Sequence, residues 1–333
     1  MIAHARTPHI FAVGGAHMDR RGRMEAAFVP GASIPGSMRE EVGGGTFNAL
    51  RTAVHRGAKA TMMSVRGGDG AGLRVAEAMA AHGIRDASAV FLDRSTPSYT
   101  ALLDANGDVV AALADMGLYD IAFPKQMRRA KIREELHGAD ALLTDANLPA
   151  AALTRLVAQC GTRPSFAIAI SPAKAVRLVG VLSSLACLFM NRREAEAIIA
   201  AVEPHMPGKR SVNEAERRVA SLQARGLRSA VITDGANAVT IFDDAVIWSL
   251  TPPSPRRIVD VTGAGDAMAG ATIAALLAGK RLVNAVREGL AAALLTVESG
   301  NAVASFTQSE FLEALAIVEK ENLSSAACAS TAS

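Results

Sequence analysis

A chain of 333 residues, half of them hydrophobic and a fifth charged, carries enough apolar material for a large globular core. Its 35 basic and 32 acidic residues are interspersed and nearly cancel, to a formal charge of +3, which argues against nucleic acid as a partner. Three cysteines without CxxC spacing and seven histidines without HExxH spacing argue against structural zinc, and no run has the make-up of a signal peptide or a membrane span, so a cytoplasmic protein is expected.

Short apolar runs alternate with helical patterns along most of the chain, as in a sheet with parallel pairing covered by helices. HIFAVGG, near residue 12, reads as the first strand. Residues 20–41 follow it and break the rhythm, being polar and rich in Gly, Pro and Arg. FNALRTAVHRG, from Phe47, has helical periodicity; KATMMSV, near residue 62, returns to strand, and LRVAEAMAAHG, from Leu73, to helix. TPSYTALLDANGDVVAALADM, residues 96–116, reads as two strands around Asn106-Gly107, a dipeptide suited to a type I′ turn. Such a pair is either a lid over a ligand cleft or a plain edge hairpin. The basic run at residues 128–133 reads as a solvated helix face. Further strands are expected near residues 142, 167, 187 and 231, and further helices from Asn191 and Glu214. The pattern predicts an α/β fold: a doubly wound, mainly parallel sheet flanked by helices, with a small β lid from the segments near 20–41 and 96–116. One domain is expected over residues 1–323, with residues 324–333 a disordered polar tail.

No GxxxxGK[ST] occurs, and no GxGxxG follows a strand with an acidic residue at the right distance, so neither a P-loop nor the usual dinucleotide fold is expected. The sequence DVTGAGDAMAGATIAALLAG, residues 260–279, has chemistry of its own. Gly263 and Gly265 leave N–H groups bare at the start of a helix, where the dipole favours an anion such as a phosphoryl group. Asp266 falls in the first turn of a helix that offers no polar face, and a buried carboxylate needs a duty there. It either complements the dipole, worth about 0.3–1 kcal/mol, or accepts a proton from a hydroxyl held beside the nest.

DVTGAGD closely resembles the C-terminal signature of the ribokinase-like, or PfkB-type, carbohydrate kinases, and other stretches match that family in its order. VGGAHMD puts Asp19 where the family holds substrate hydroxyls, and GGGTFNA resembles its second signature, with Gly43, Gly44 and Asn48 facing the sugar. RGGDGAG resembles its Gly-x-Asp turn. NRRE resembles its Asn-x-x-Glu element at Asn191 and Glu194, although the same pair also fits a helix capping box. TDGANAV occupies the place of its nucleotide-phosphate loop, with Thr233 and Gly235 the contacts. The resemblance implies ATP-dependent phosphoryl transfer to a primary hydroxyl of a ribose-like small molecule. Asp266 is then the general base, and the N–H groups of Gly263, Ala264 and Gly265 stabilise transition-state charge. It also implies Mg2+ near Glu194 through water and a monovalent cation, K+, near Asp260 and Thr262. A flat lid with an exposed face is suited to a homodimer.

The lid segment, TDANLP at Thr144 and SPAKAVRL at Ser171 resemble the pseudouridine kinases of that family. Three positions depart from the pattern: Phe47 replaces an arginine, His17 a common asparagine, and Ile168 a common acidic residue. These changes predict an altered base pocket. Another nucleoside or a free sugar is therefore the alternative acceptor. A non-catalytic nucleotide sensor of the same fold is the rival class, against which the intact GAGD argues.

Overall fold

The computed structural model describes residues 6–202 and 214–330, with side chains as far as residue 323. β1 (His9–Val13) passes through Gly14 and Gly15 into a long hairpin, β2 (His17–Met24) and β3 (Gly36–Gly43). There follow α1 (Gly45–His55), β4 (Lys59–Met63), β5 (Val65–Gly67), α2 (Gly70–Ala81), β6 (Ile84–Asp86) and β7 (Ala89–Phe91). The second hairpin is β8 (Ser98–Leu103) and β9 (Val109–Asp115). After it come α3 (Gly117–Gln126), α4 (Ala130–Gly138), β10 (Ala141–Asp145), α5 (Ala150–Ala158), β11 (Ser165–Ile168), α6 (Pro172–Ala175), β12 (Cys187–Asn191), α7 (Arg192–Val202) and α8 (Glu214–Gln223). The chain ends with β13 (Ser229–Asp234), β14 (Asn237–Asp243), β15 (Val246–Leu250), α9 (Ala264–Leu277), α10 (Leu282–Val297) and α11 (Gln308–Ser330).

Nine strands form one sheet in the order β15-β14-β13-β12-β11-β10-β1-β4-β6. All pairings from β13 to β6 are parallel, and β14 and β15 extend one edge antiparallel. The inner strands are buried on both faces, which is why they read as continuous apolar runs. Helices α1, α2, α9, α10 and α11 cover one face and α3, α4, α5, α7 and α8 the other. The chain winds outward from β1 in both directions, through β4 on one side and β10 on the other. The carboxyl ends of β1 and β10 thus mark the switch point where an open α/β sheet forms its ligand crevice.

Both segments that break the rhythm belong to a separate four-stranded sheet, β3-β2-β8-β9, in which β2 and β8 run parallel and join the two hairpins. β9 is exposed along its whole length. The turn between β8 and β9 differs from the expected type I′. Gly107 has φ 94° and Asn106 does not have positive φ; the Gly107 N–H donates to Asp104 O at 3.1 Å, and the Asp104 carboxylate accepts from the N–H groups of Asn106 and Asp108. A five-residue loop with a left-handed glycine forms instead, because Asp104 competes for the backbone donors. At the C-terminus the backbone stays helical to Ser330, where a disordered tail is expected from residue 324; residues 331–333 lie outside the described set. Among the described residues no helix is long and apolar enough to cross a membrane.

Helix α9 is buried from Ala267 to Ala275, as its apolar make-up predicts. Its small residues bring it close to α1. A methyl group on Gly270 would approach the Ala49 carbonyl oxygen to 2.1 Å, so only glycine permits this crossing. The close approach puts the first turn of α9 beside the first turn of α1 and brings Asp266 to Asn48.

Candidate active site

The site lies at the carboxyl ends of the parallel strands. Asp145, the last residue of β10, is fully buried and organises it. One carboxylate oxygen accepts from the N–H of Gly15 (3.0 Å), the N–H of Thr46 (3.2 Å) and the hydroxyl of Thr46 (2.8 Å). The other accepts from the N–H of Asn147 at 2.9 Å. Four donors satisfy the buried charge and tie the end of β1 to the start of α1.

Asn48 lies one turn into α1, and its side-chain N–H donates to Asp266 Oδ2 at 3.0 Å. The amide oxygen of Asn48 is buried with no partner among the described residues, an open acceptor beside the carboxyl. Asp266 itself is partly accessible at the head of α9. Burial of its carboxyl pushes its pKa up to about 7; the Asn48 bond works against this, and the charges of Asp145, Asp19 and Glu194 reinforce it. Turnover that needs ionised Asp266 should therefore rise with pH and level off above about 7. A kcat profile over the acid limb checks this, and a limb centred near 4 would contradict it.

Close to Asp266 lies Ile170, a residue the sequence did not single out for the site. Its φ of 74° is rare for a β-branched residue, and the Ser171 N–H donates to Ala169 O at 2.9 Å across it. This is a γ-turn of the strained, positive-φ kind. A Cβ on Gly45 would meet Ile170 Cδ1 at 2.3 Å and Asp266 Oδ1 at 3.4 Å, so Ile170, Gly45 and Asp266 share one tight corner.

Gly263 precedes α9 with φ 78°, and a methyl group there would come within 1.9 Å of the Ala302 carbonyl oxygen. The donors open at this turn differ slightly from expectation. The Ala264 N–H is drawn back to Val261 O at 3.4 Å, and the first full helical bond runs from the Ala267 N–H to Gly263 O. The N–H groups of Gly263, Gly265 and Asp266 donate to no acceptor among the described residues, which leaves three open donors at the positive end of the helix, where an anion is favoured. Gly263→Ala is expected to lower stability by about 2 kcal/mol or more through strain and clash, and to abolish turnover. Urea denaturation and a rate assay check this together.

Asp19, on β2, pairs with His17 Nε2 at 3.3 Å, and His17 Nδ1 lies 3.1 Å from the Tyr119 hydroxyl. Gly43 leaves room for the Asp19 carboxylate, since a Cβ there would lie 2.0 Å from Asp19 Oδ2. Gly44 caps α1 with φ 116°, against the Gly15 carbonyl. Of the three departures from the family pattern, His17 touches Asp19, and Ile168 lies near Gly45 in the corner that holds Ile170. Phe47 does not. It is fully buried, edge-on to His82 and under the Arg51 guanidinium, because it faces away from Asn48 around α1.

Asn191 and Glu194 form a reciprocal capping box on α7: the Asn191 N–H donates to Glu194 Oε2 at 2.8 Å and the Glu194 N–H to Asn191 Oδ1 at 2.9 Å. The cap leaves Glu194 Oε1 without a donor among the described residues, and burial raises the Glu194 pKa. Thr233 pairs with Asn191 across β12 and β13, and Gly235, with φ 60°, turns the chain just beyond. Asp260 bonds to the Thr262 N–H at 2.8 Å and to Arg21 of the lid. Among the described residues no cluster of three His, Cys, Asp or Glu side chains could hold a metal by itself. A cation here needs oxygen ligands from a bound phosphate as well.

A carboxyl with its pKa near neutrality beside open N–H groups at a helix start, set at the switch point of an open α/β sheet, is an arrangement suited to phosphoryl transfer. The chain belongs to the pfkB family of carbohydrate kinases, which it matches over residues 7–309. It is 42% identical to a carbohydrate kinase from Agrobacterium tumefaciens of known structure, covering 94% of this chain and 98% of that one with a TM-score of 0.81. It is 25% identical to the pseudouridine kinase of Escherichia coli over 296 residues, 88% of this chain and 92% of that protein. Arabidopsis thaliana ribokinase complexed with ribose and ATP shares the fold at a TM-score of 0.78 and 19% identity, covering 93% of this chain and 99% of that one.

Proposed function

We propose that this carbohydrate kinase transfers the γ-phosphoryl group of ATP to the primary hydroxyl of pseudouridine. The observation that carries the chemistry is the position of Asp266, held by Asn48 at the head of α9 beside three N–H groups that have no acceptor among the described residues. The acceptor hydroxyl gives its proton to Asp266 as its oxygen attacks the phosphorus, and the nest stabilises the charge on the transferring group. Loss of one such donor typically costs about 2.7–4 kcal/mol of transition-state stabilisation. Asp19, Gly43, Gly44 and Asn48 orient the sugar. Asn191, Thr233 and Gly235 line the nucleotide phosphates. The open oxygen of Glu194 fits a water-mediated contact to Mg2+, which, when bound with ATP, neutralises phosphate charge.

The choice of pseudouridine is supported by the likeness to its E. coli kinase along nearly the whole chain. ADP release measured with Mg-ATP across pseudouridine, uridine, cytidine, adenosine, ribose and fructose 6-phosphate tests it. Turnover concentrated on pseudouridine supports the reading. Turnover on another acceptor replaces the substrate and keeps the mechanism, whereas nucleotide binding without turnover on any acceptor makes the protein a sensor.

A further inference from the structure

Asp260 and Thr262 are the residues expected near a monovalent cation, and the structure gives the Asp260 carboxylate, the charged group of the two, other partners. One oxygen accepts from the Thr262 N–H at 2.8 Å. The other accepts from Arg21 Nη1, whose Nη2 lies 3.6 Å from Glu41 Oε1 on β3. Arg21 comes from β2, two residues beyond Asp19 and therefore on the same face of the lid. The three side chains are 21–23% exposed, so solvent screens the contact only in part. A K+ ion at Asp260 would have to displace the guanidinium or share one carboxylate with it against charge repulsion. The residues present do not fit the expected cation.

We propose that Arg21 is a latch that fastens the lid to the turn ahead of the anion nest and supplies the positive charge of a monovalent cation there, leaving the enzyme independent of K+. The guanidinium bonds directionally, so it balances Asp260 while fixing the carboxylate that orients Thr262. Left uncompensated, that charge would oppose the phosphates bound next to it. Asp19 and Arg21 share one strand. The contact that orders the nest therefore also sets the lid over the acceptor, and occupation of either side favours the other.

The inference rests on the kinase reading, and its test separates the two. ADP affinity is measured by calorimetry with Mg2+ present, in potassium, sodium and tetramethylammonium chloride at equal ionic strength, for the wild type, Arg21→Lys and Arg21→Met. Wild type and Arg21→Lys should agree across the salts to within about twofold, while Arg21→Met should bind about tenfold more weakly in tetramethylammonium and recover in potassium. Without nucleotide, thermolysin should cut the lid of Arg21→Met faster than that of the wild type. Wild-type ADP binding about tenfold tighter in potassium than in tetramethylammonium overturns the proposal. So does an Arg21→Met variant that matches the wild type in every salt and in proteolysis. A lack of turnover on every acceptor counts against the kinase reading alone, since neither of these measurements uses an acceptor.

Discussion

Asp266→Asn is expected to lower kcat by about 100-fold or more while leaving acceptor KM within a fewfold, the usual worth of a positioned base. The variant should fold. Asn is close to Asp in size and can keep the contact with the Asn48 amide. Its stability also has a defined sign. The pKa of Asp266 is raised from 3.8 to about 7 in the folded protein, so the native state holds this proton more tightly than the unfolded chain. The stability so gained is fully present below about pH 4 and is lost as pH rises through 7. Above pH 7 the wild type carries the whole cost of the buried charge, and Asp266→Asn does not. Its Tm at pH 8 should equal or exceed that of the wild type. Near-normal turnover would remove Asp266 from the chemistry, and a collapse of Tm would make its role structural.

Asp145→Ala is expected to be the more damaging change to the fold. It removes the acceptor of four hydrogen bonds at a fully buried position and leaves the N–H groups of Gly15, Thr46 and Asn147 without that partner. A loss of about 3–5 kcal/mol follows from the usual penalty for stranded buried donors. Asp145→Asn should lose less, because its one oxygen can still serve Gly15 and Thr46. It also withdraws a charge that helps raise the pKa of Asp266, so its acid limb should move below that of the wild type. Urea denaturation followed by circular dichroism, with a pH–rate profile for Asp145→Asn, reads both effects. An Asp145→Ala variant as stable as the wild type would refute the stitching role.

The helix start and the place of Asp266 in its first turn were legible in the sequence because DVTGAGD packs a turn, a helix start and a carboxylate into seven consecutive residues. The wound sheet was legible for a similar reason: its strands are buried on both faces and read as short apolar runs. What escaped notice depends on partners far along the chain. Asp145 meets residues about 100 and 130 positions earlier, and Arg21 meets Asp260, 239 positions later. TDANLP marks the place of Asp145 but not its distant partners, and nothing local pairs Arg21 with Asp260. Strand β2, HMDRRGRM, lacked an apolar pattern because it belongs to the small four-stranded sheet and only Met18 of it joins the main core. Ile170 looks like an ordinary strand-end isoleucine until its φ is seen. Phe47 shows the opposite error. Its place beside Asn48 in the sequence pointed to the base pocket, whereas helical geometry turned it into the core.

The central claim is that Asp266 takes the proton of a primary hydroxyl as the phosphoryl group moves onto that oxygen. Its most direct test is 31P NMR of the product formed from Mg-ATP and pseudouridine by the wild type and by Asp266→Asn. A phosphomonoester coupled to the methylene protons of the primary carbon, formed by the wild type and reduced by about 100-fold or more in rate in the variant, is the predicted result. A phosphate on another hydroxyl, or equal rates for the two proteins, would contradict it.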